Sequence, residues 1–334
     1  MESDSLFMSV IIPTTHPERL NLLEQALNSI NDQDLDTYLF EVIVITNYHL
    51  LFNKKYNFNL KIILTQKVNL GAKLIIGAEN ASANIILFLE DDDTFHPRKL
   101  SIIYSIFKNN EKLDYFKHAL QLISSSGQNL YDPTFKDAKE NLIIQCNQNF
   151  ISNINLSNIG EFHSVLSSIA IKKFLIKRIS NCLSLVNFNS DLALFLSALD
   201  FNSIIMVNCV KLTNYRVHDS GSRTFEQNIE LFSKKTINYF KDVLNTSKQL
   251  FKCIENEQTI SLLHEIEVRQ EFESLRWQNI NLNTFLINLK KYLKNTEMKK
   301  YDFRLIAINV LFWCFPTMMR SKYMNNIQKS LDLK

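Results

Sequence analysis

The segment from Asn84 to Pro97, N-I-I-L-F-L-E-D-D-D-T-F-H-P, limits the choice of folds more than any other part of the chain. Ile85 to Leu89 is a continuous apolar run, the pattern of a strand covered on both faces in a mostly parallel sheet. Four acids follow without a break: Glu90, Asp91, Asp92 and Asp93. At the carboxyl end of such a strand they lie in the crevice where open α/β sheets bind ligands. Adjacent carboxylates raise one another's pKa, and a divalent cation with oxygen ligands, Mn²⁺ or Mg²⁺, is the usual way to keep such a set ionised. Mg²⁺ is commonly shared between carboxylates and substrate phosphates, so the cluster points to a phosphorylated or nucleotide-bearing substrate. The competing reading is a solvated acidic turn that caps the next helix, with Pro97 near its start.

The preceding residues supply the rest of a sheet. Met8 to Ile12 is apolar but for Ser9 and runs into Pro13-Thr14-Thr15-His16-Pro17, after which Leu20, Leu23, Ala26, Leu27 and Ile30 recur at helical spacing. F-E-V-I-V-I at Phe40 to Ile45 and L-K-I-I-L at Leu60 to Leu64 read as strands, and Asn69-Leu70-Gly71 opens a helix through Ala83. Strands alternating with helical segments predict right-handed crossovers and a Rossmann-like, mostly parallel α/β sheet flanked by helices.

Composition narrows the function. The 334 residues are 46% hydrophobic and 21% charged, enough for one large or two smaller domains. A net charge of +3, with no basic run interleaved with aromatics, argues against a nucleic-acid partner. Cys146, Cys182, Cys209, Cys253 and Cys314 are scattered without a C-x-x-C pair, so reduced core cysteines are expected rather than a zinc site or a disulfide framework. The start M-E-S-D-S-L-F-M lacks a basic segment followed by a long apolar one, which predicts a cytoplasmic protein.

Four pieces, in order and in register, resemble the family 2 glycosyltransferases of GT-A fold: S-V-I-I-P-T at Ser9 to Thr14, E-V-I-V-I at Glu41 to Ile45, N-L-G-A at Asn69 to Ala72, and A-x-x-I-L-F-L-E-D-D-D-x-x-x-P from Ala83 to Pro97. The resemblance implies that Pro13, Thr14 and Thr15 lie against the donor nucleoside. Asn47 stands where the family places an Asp on the base, after Thr46. Ile76-Gly77 replaces an Arg-Asn pair, which leaves Lys73 to supply a cation near the donor. The family's Asp-x-Asp-Asp falls on Glu90-Asp91-Asp92-Asp93, implying Asp91 and Asp92 at the donor and Asp92 and Asp93 on a divalent metal.

After a helix from Leu100 to Phe107, Ala119 to Ile123 and Leu142 to Gln145 read as strands of an antiparallel addition. Glu161 to Ser164, leading to S-S-I-A-I at Ser167 to Ile171, resembles the family's acceptor segment, so His163 is either an acceptor-site residue or a satisfied buried polar group. Ser190-Asp191-Leu192 starts a helix with a stripe of Leu192, Phe195, Leu196 and Leu199. The family has an acidic pair at that point, with its Asp as catalytic base. Asp191 matches that Asp, Ser190 replaces the first acid, and an Asp in a first helical turn also serves as a plain cap. Tyr215 to Ser222 resembles the Y-R-x-H-x-x-x-S loop, which would bring His218 to the metal and Arg223 to the donor phosphates.

Residues 1–224 are thus expected to form the transferase domain, a nucleotide-sugar half at 1–107 and an acceptor half at 108–224. Residues 225–334 are expected to be an accessory helical region. Within it Leu305 to Met319, bounded by Arg304, Arg320 and Lys322, is shorter than a spanning helix and broken by Pro316; it is either a membrane-surface element within 303–322 or a core helix. The resemblance implies a metal-dependent, inverting transfer from a nucleotide-diphosphate sugar to a glycan or lipid-linked acceptor. A haloacid dehalogenase-like phosphatase would want Thr or Val where Phe95 stands, and a nucleotidyltransferase would want Gly and Lys between Pro13 and Pro17. The departures at Glu90, Thr46-Asn47, Ile76-Gly77 and Ser190 suit a sugar-nucleotide-binding relative without activity.

Overall fold

The computed structural model describes residues 6–52, 54–131, 137, 140–217, 228–296 and 303–332. Its sheet has nine strands: β1 (Met8–Pro13), β2 (Phe40–Thr46), β3 (Asn59–Leu64), β4 (Ile85–Phe88), β5 (Thr94–Phe95), β6 (Leu113–Ile123), β7 (Leu142–Gln145), β8 (Ile169–Lys172) and β9 (Ile204–Arg216). They run in the order β3-β2-β1-β4-β8-β6-β9-β5, with β7 on β9. The first four are parallel to one another. β8 reverses direction against both β4 and β6.

Continuous apolar runs make these strands because both faces are covered. Val10, Ile12, Val42, Val44, Leu87 and Leu89 point into a core with α1 (Leu20–Asn31) and α3 (Lys99–Asn109). Ile11, Ile43, Ile45, Ile86 and Phe88 point to the other face, toward α2 (Leu70–Asn80) and the later helices. Phe88 has no exposed surface, and its replacement by Ala would cost about 3–5 kcal/mol. The helix after Asn69 ends at Asn80, three residues short of the expected Ala83, because Ala81 is already extended. Ile76-Gly77 has a packing reason: a Cβ on Gly77 would come within 2.6 Å of the Ile11 side chain.

The second half is built from α4 (Gln148–Ser152), α5 (Gly160–His163), α6 (Lys173–Arg178), α7 (Ser180–Leu183) and α8 (Ser190–Asp200) around the remaining strands. The expected antiparallel addition holds for β7 on β9, whereas β6 runs parallel to β9 and antiparallel to β8. β9 continues to Arg216, so Tyr215 and Arg216 are strand residues rather than loop. α8 is buried almost all round, wider than the predicted stripe.

Five helices follow: α9 (Ile229–Leu250), α10 (Glu257–Ser274), α11 (Leu282–Asn295), α12 (Phe303–Cys314) and α13 (Pro316–Asp332). They are anchored to the sheet half. Cys182 at α7 is disulfide-bonded to Cys253, with Cα atoms 6.3 Å apart. This corrects the expectation of five reduced core cysteines, and among the free ones only Cys146 is buried. Asp200 Oδ1 accepts from the amides of Glu255 and Asn256, and Thr246 donates to the Phe188 carbonyl at 2.9 Å. The apolar run at 305–319 is divided between α12 and α13, which are bent by 119° across the break before Pro316. Among the described residues no single helix is long and apolar enough to cross a membrane.

Candidate active site

The acids that end β4 are sorted by the fold. Glu90 and Asp92 line a cleft of about 440 Å³ at the carboxyl ends of the parallel strands, together with His16, Arg19, Asp191, Tyr215 and Tyr239. Asp91 is buried and accepts from the Thr14 hydroxyl at 2.6 Å. Asp93 has no exposed surface; its Oδ1 accepts from the Arg216 amide at 2.9 Å, and its Oδ2 has no hydrogen-bond partner among the described residues. Burial and the carboxylate of Asp92 push Asp93 up to about 8. Burial, reinforced by Asp93, Asp92 and Asp191, holds Glu90 well above the carboxylate range.

Side-chain cations surround this cluster. Arg19, in the turn before α1, donates through Nη1 to Asp92 Oδ2 at 2.9 Å and to Asp91 Oδ1 at 3.4 Å. Lys99 is buried beneath Asp93, donating to the Ser167 carbonyl at 2.6 Å and to the Thr213 hydroxyl at 2.8 Å. Lys73 is likewise buried, and its Nζ donates to the Thr14 carbonyl and to Thr15 Oγ1. It therefore fixes the Pro13-Thr14-Thr15 loop from within rather than reaching into the cleft. Burial lowers its pKa to about 8, against the pull of Asp91. Asn47 donates from Nδ2 to the carbonyls of Thr65 and Lys67, both at 2.8 Å, which orients the amide and leaves its buried Oδ1 without a partner.

Asp191 enters from the opposite wall, in the first turn of α8. Its Oδ1 accepts from the Leu192 amide at 2.9 Å, and its Oδ2 from the Val165 amide at 3.1 Å, with His163 Nδ1 at 3.4 Å. Burial alone would raise this carboxyl, but His163 and the two amides outweigh it and hold it below its usual value. His163 and Asp191 are thus each other's partner, 28 residues apart in sequence. Asn189, in left-handed conformation, caps α8 with no side-chain bond, so Asp191 is not the cap.

Residues 9–121 match the family model of glycosyl transferase family 2. Over those residues the chain resembles a glycosyltransferase family 2 domain, and its fold is GT-A with additional helices at the carboxyl end. Among solved structures it is similar to S. aureus TarS 1-349 in complex with UDP, with a TM-score of 0.56, 16% identity, and coverage of 98% of this chain and 90% of that one. It is similar also to TarS 1-349 in complex with UDP-GlcNAc, with a TM-score of 0.54, 15% identity and the same coverage. No curated protein matches the sequence.

The metal set expected from the sequence is not assembled among the described residues. Asp93 is enclosed and is not among the residues that line the cleft, and its Oδ2 has no hydrogen-bond partner among the described residues. Asp92 is already paired with Arg19. His218 lies outside the described residues, as does Arg223, and among the described residues no three His, Cys, Asp or Glu side chains converge to hold an ion. Among the described residues Arg19 pairs with Asp91 and Asp92, Lys73 lies near Asp91, and Lys99 lies near Asp93.

Sequence reasoning missed three contributors to the site. Arg19 is the sole arginine between Pro13 and Leu20, which was a signal available in the chain. Val165 has a left-handed φ of 68°, a costly conformation for a β-branched residue, and nothing in the local sequence announces it. Tyr239 on α9 faces Phe188 at 5.6 Å between ring centroids and lines the cleft, so the helical region assigned an accessory role supplies a wall of the site. Burial pushes the Tyr239 hydroxyl up to about 12.

Proposed function

We propose that this glycosyltransferase moves a sugar from a uridine-diphosphate donor to a hydroxyl acceptor with inversion at the anomeric carbon. The observation that carries the reading is the placement of a doubly amide-bonded Asp191 across one cleft from Glu90 and Asp92. The acceptor oxygen attacks the anomeric carbon as Asp191 takes its proton. The bond from that carbon to the diphosphate oxygen breaks, and its electron pair leaves with the nucleoside diphosphate. His163 orients Asp191.

The base preference rests on Asn47. Its amide is anchored through Nδ2, and its Oδ1, enclosed and without a partner here, would pair with the imide N–H of uracil and repel the acceptor N3 of cytosine once a donor base gains access to it. The complexes of the similar TarS structures with UDP and UDP-GlcNAc support the same nucleotide. The rings of Phe188 and Tyr239 offer apolar faces to a sugar at the cleft mouth.

Residues 1–224 act as the transferase unit and 225–334 as a helical region braced against it. The acceptor is a glycan or a lipid-linked sugar. Exposed Phe303, Leu311, Phe315 and Met318, with Arg304 and Lys322 beside them, suit contact with an anionic cytoplasmic leaflet. Arg320, expected among those flanking bases, is instead buried, donating to the carbonyls of Arg276 and Gln278. Nucleotide sugars place the reaction in the cytoplasm, where the Cys182–Cys253 bond is open to reduction.

The test is calorimetry with UDP, GDP, CDP and dTDP on wild type and Asn47→Leu. UDP should bind, CDP should not, and Asn47→Leu should weaken UDP by about tenfold. Equal affinity for CDP, or an unchanged Asn47→Leu, would contradict the base reading.

A further inference from the structure

Three basic side chains among the described residues line the cleft: His16, Arg19 and Arg216. Arg216 is saturated. Its Nε donates to the Asp92 carbonyl, its Nη1 to the carbonyls of Ser124 and Ser125, and its Nη2 to Gln25 Oε1. His16 is exposed and turned to Glu18 at 3.1 Å. Arg19 differs from both, because two carboxylates hold it through a single nitrogen, Nη1. Its Nη2 and Nε make no hydrogen bond among the described residues, and its side chain is a quarter exposed in the cleft.

We propose that Arg19 is the cation that receives the donor's diphosphate, in the part that the acidic cluster suggests for a divalent ion. This rests on the nucleotide-sugar reading above. Asp91 and Asp92 fix the guanidinium by its Nη1 corner, and the opposite edge, Nη2 with Nε, presents two parallel N–H groups at the spacing of two phosphate oxygens. Charge that gathers on the leaving nucleoside diphosphate is neutralised by a side chain that needs no reorganisation at the moment of transfer. The four-acid sequence then serves to aim an arginine. Asp92 and Asp91 position Arg19, and Asp93 fixes the end of β9 through the Arg216 amide.

The experiment compares UDP with uridine, since only the former carries the diphosphate. Binding to wild type, Arg19→Ala and Arg19→Lys is measured in EDTA and again with Mn²⁺ or Mg²⁺, by calorimetry for UDP and ligand-observed NMR for uridine, with circular dichroism as the fold control. Wild type should bind UDP in EDTA, with a change of less than about threefold on adding either ion. Arg19→Ala should lose about 10- to 100-fold in UDP affinity with uridine unchanged, and Arg19→Lys should fall between. Binding of UDP by wild type only with a divalent ion would overturn the proposal. So would Arg19→Ala that binds UDP as wild type does, or loses UDP and uridine equally. Failure of wild type to bind uridine as well as UDP would instead sink the donor reading itself.

Discussion

The amide of Val165 donates to the carboxylate of Asp191 at 3.1 Å from a backbone held at φ 68° and ψ 111°. That conformation costs a β-branched residue of order 1–3 kcal/mol, and strain of this kind persists where the surroundings over-determine it. Here it turns one N–H toward the proposed catalytic base. Val165→Gly would relieve the strain while adding about 0.5–1 kcal/mol of conformational freedom to the unfolded chain. Urea unfolding should therefore show unchanged stability or a gain of up to about 2 kcal/mol, while turnover falls several-fold as the loop loosens. A loss of stability beyond about 1 kcal/mol would show that Val165 is held by packing rather than against strain.

Lys73 ties β1's loop to α2 from a fully buried position. Burial brings its folded pKa to about 8, below the ordinary 10.5. Between those values the unfolded chain binds more protons than the folded one, so this residue makes stability rise with pH across that window and penalises folding below it. Lys73→Met removes the titration. The difference in unfolding free energy between wild type and Lys73→Met, followed from pH 7 to pH 10, should shift in favour of wild type as pH rises; a constant difference would mean that Lys73 titrates normally.

The bond between Cys182 and Cys253 closes a loop with a sequence separation of 71 and pins the segment after α9 to α7. On the loop-entropy account such a closure is worth about 4 kcal/mol. Cys253→Ser, or reduction of the native protein, should lower stability by an amount of that order. Of the remaining thiols, Cys209 and Cys314 are exposed and Cys146 is enclosed. A thiol reagent should therefore react with two groups in the native state and a third only after unfolding; five rapid equivalents without reductant would contradict the pairing.

The parallel half of the sheet was legible because its signals are local. β1, β2 and β4 are apolar runs that end in polar loops, and their boundaries are placed to within a residue or so. Asp191 and His163 were each visible as candidates, but their contact joins α5 to α8 and exists only in the fold. The acids show the limit most sharply. Four identical-looking carboxyls in a row differ because the turn after β4 sends Asp93 inward and Asp92 toward the cleft, and no residue-by-residue count distinguishes them. The disulfide had no signal in cysteine spacing, and the cleft wall at Tyr239 comes from a helix whose own sequence reads as a solvated amphipathic one.

Asp191 acts as the base of the proposed glycosyl transfer. The most direct measurement of that role is release of UDP from UDP-GlcNAc and other UDP-sugars by wild type and Asp191→Asn, read beside UDP affinity for both. Wild type should release UDP from at least one donor, and Asp191→Asn should reduce the rate by about 10²–10⁴-fold with UDP affinity and fold unchanged. Near-normal release by Asp191→Asn would contradict that role.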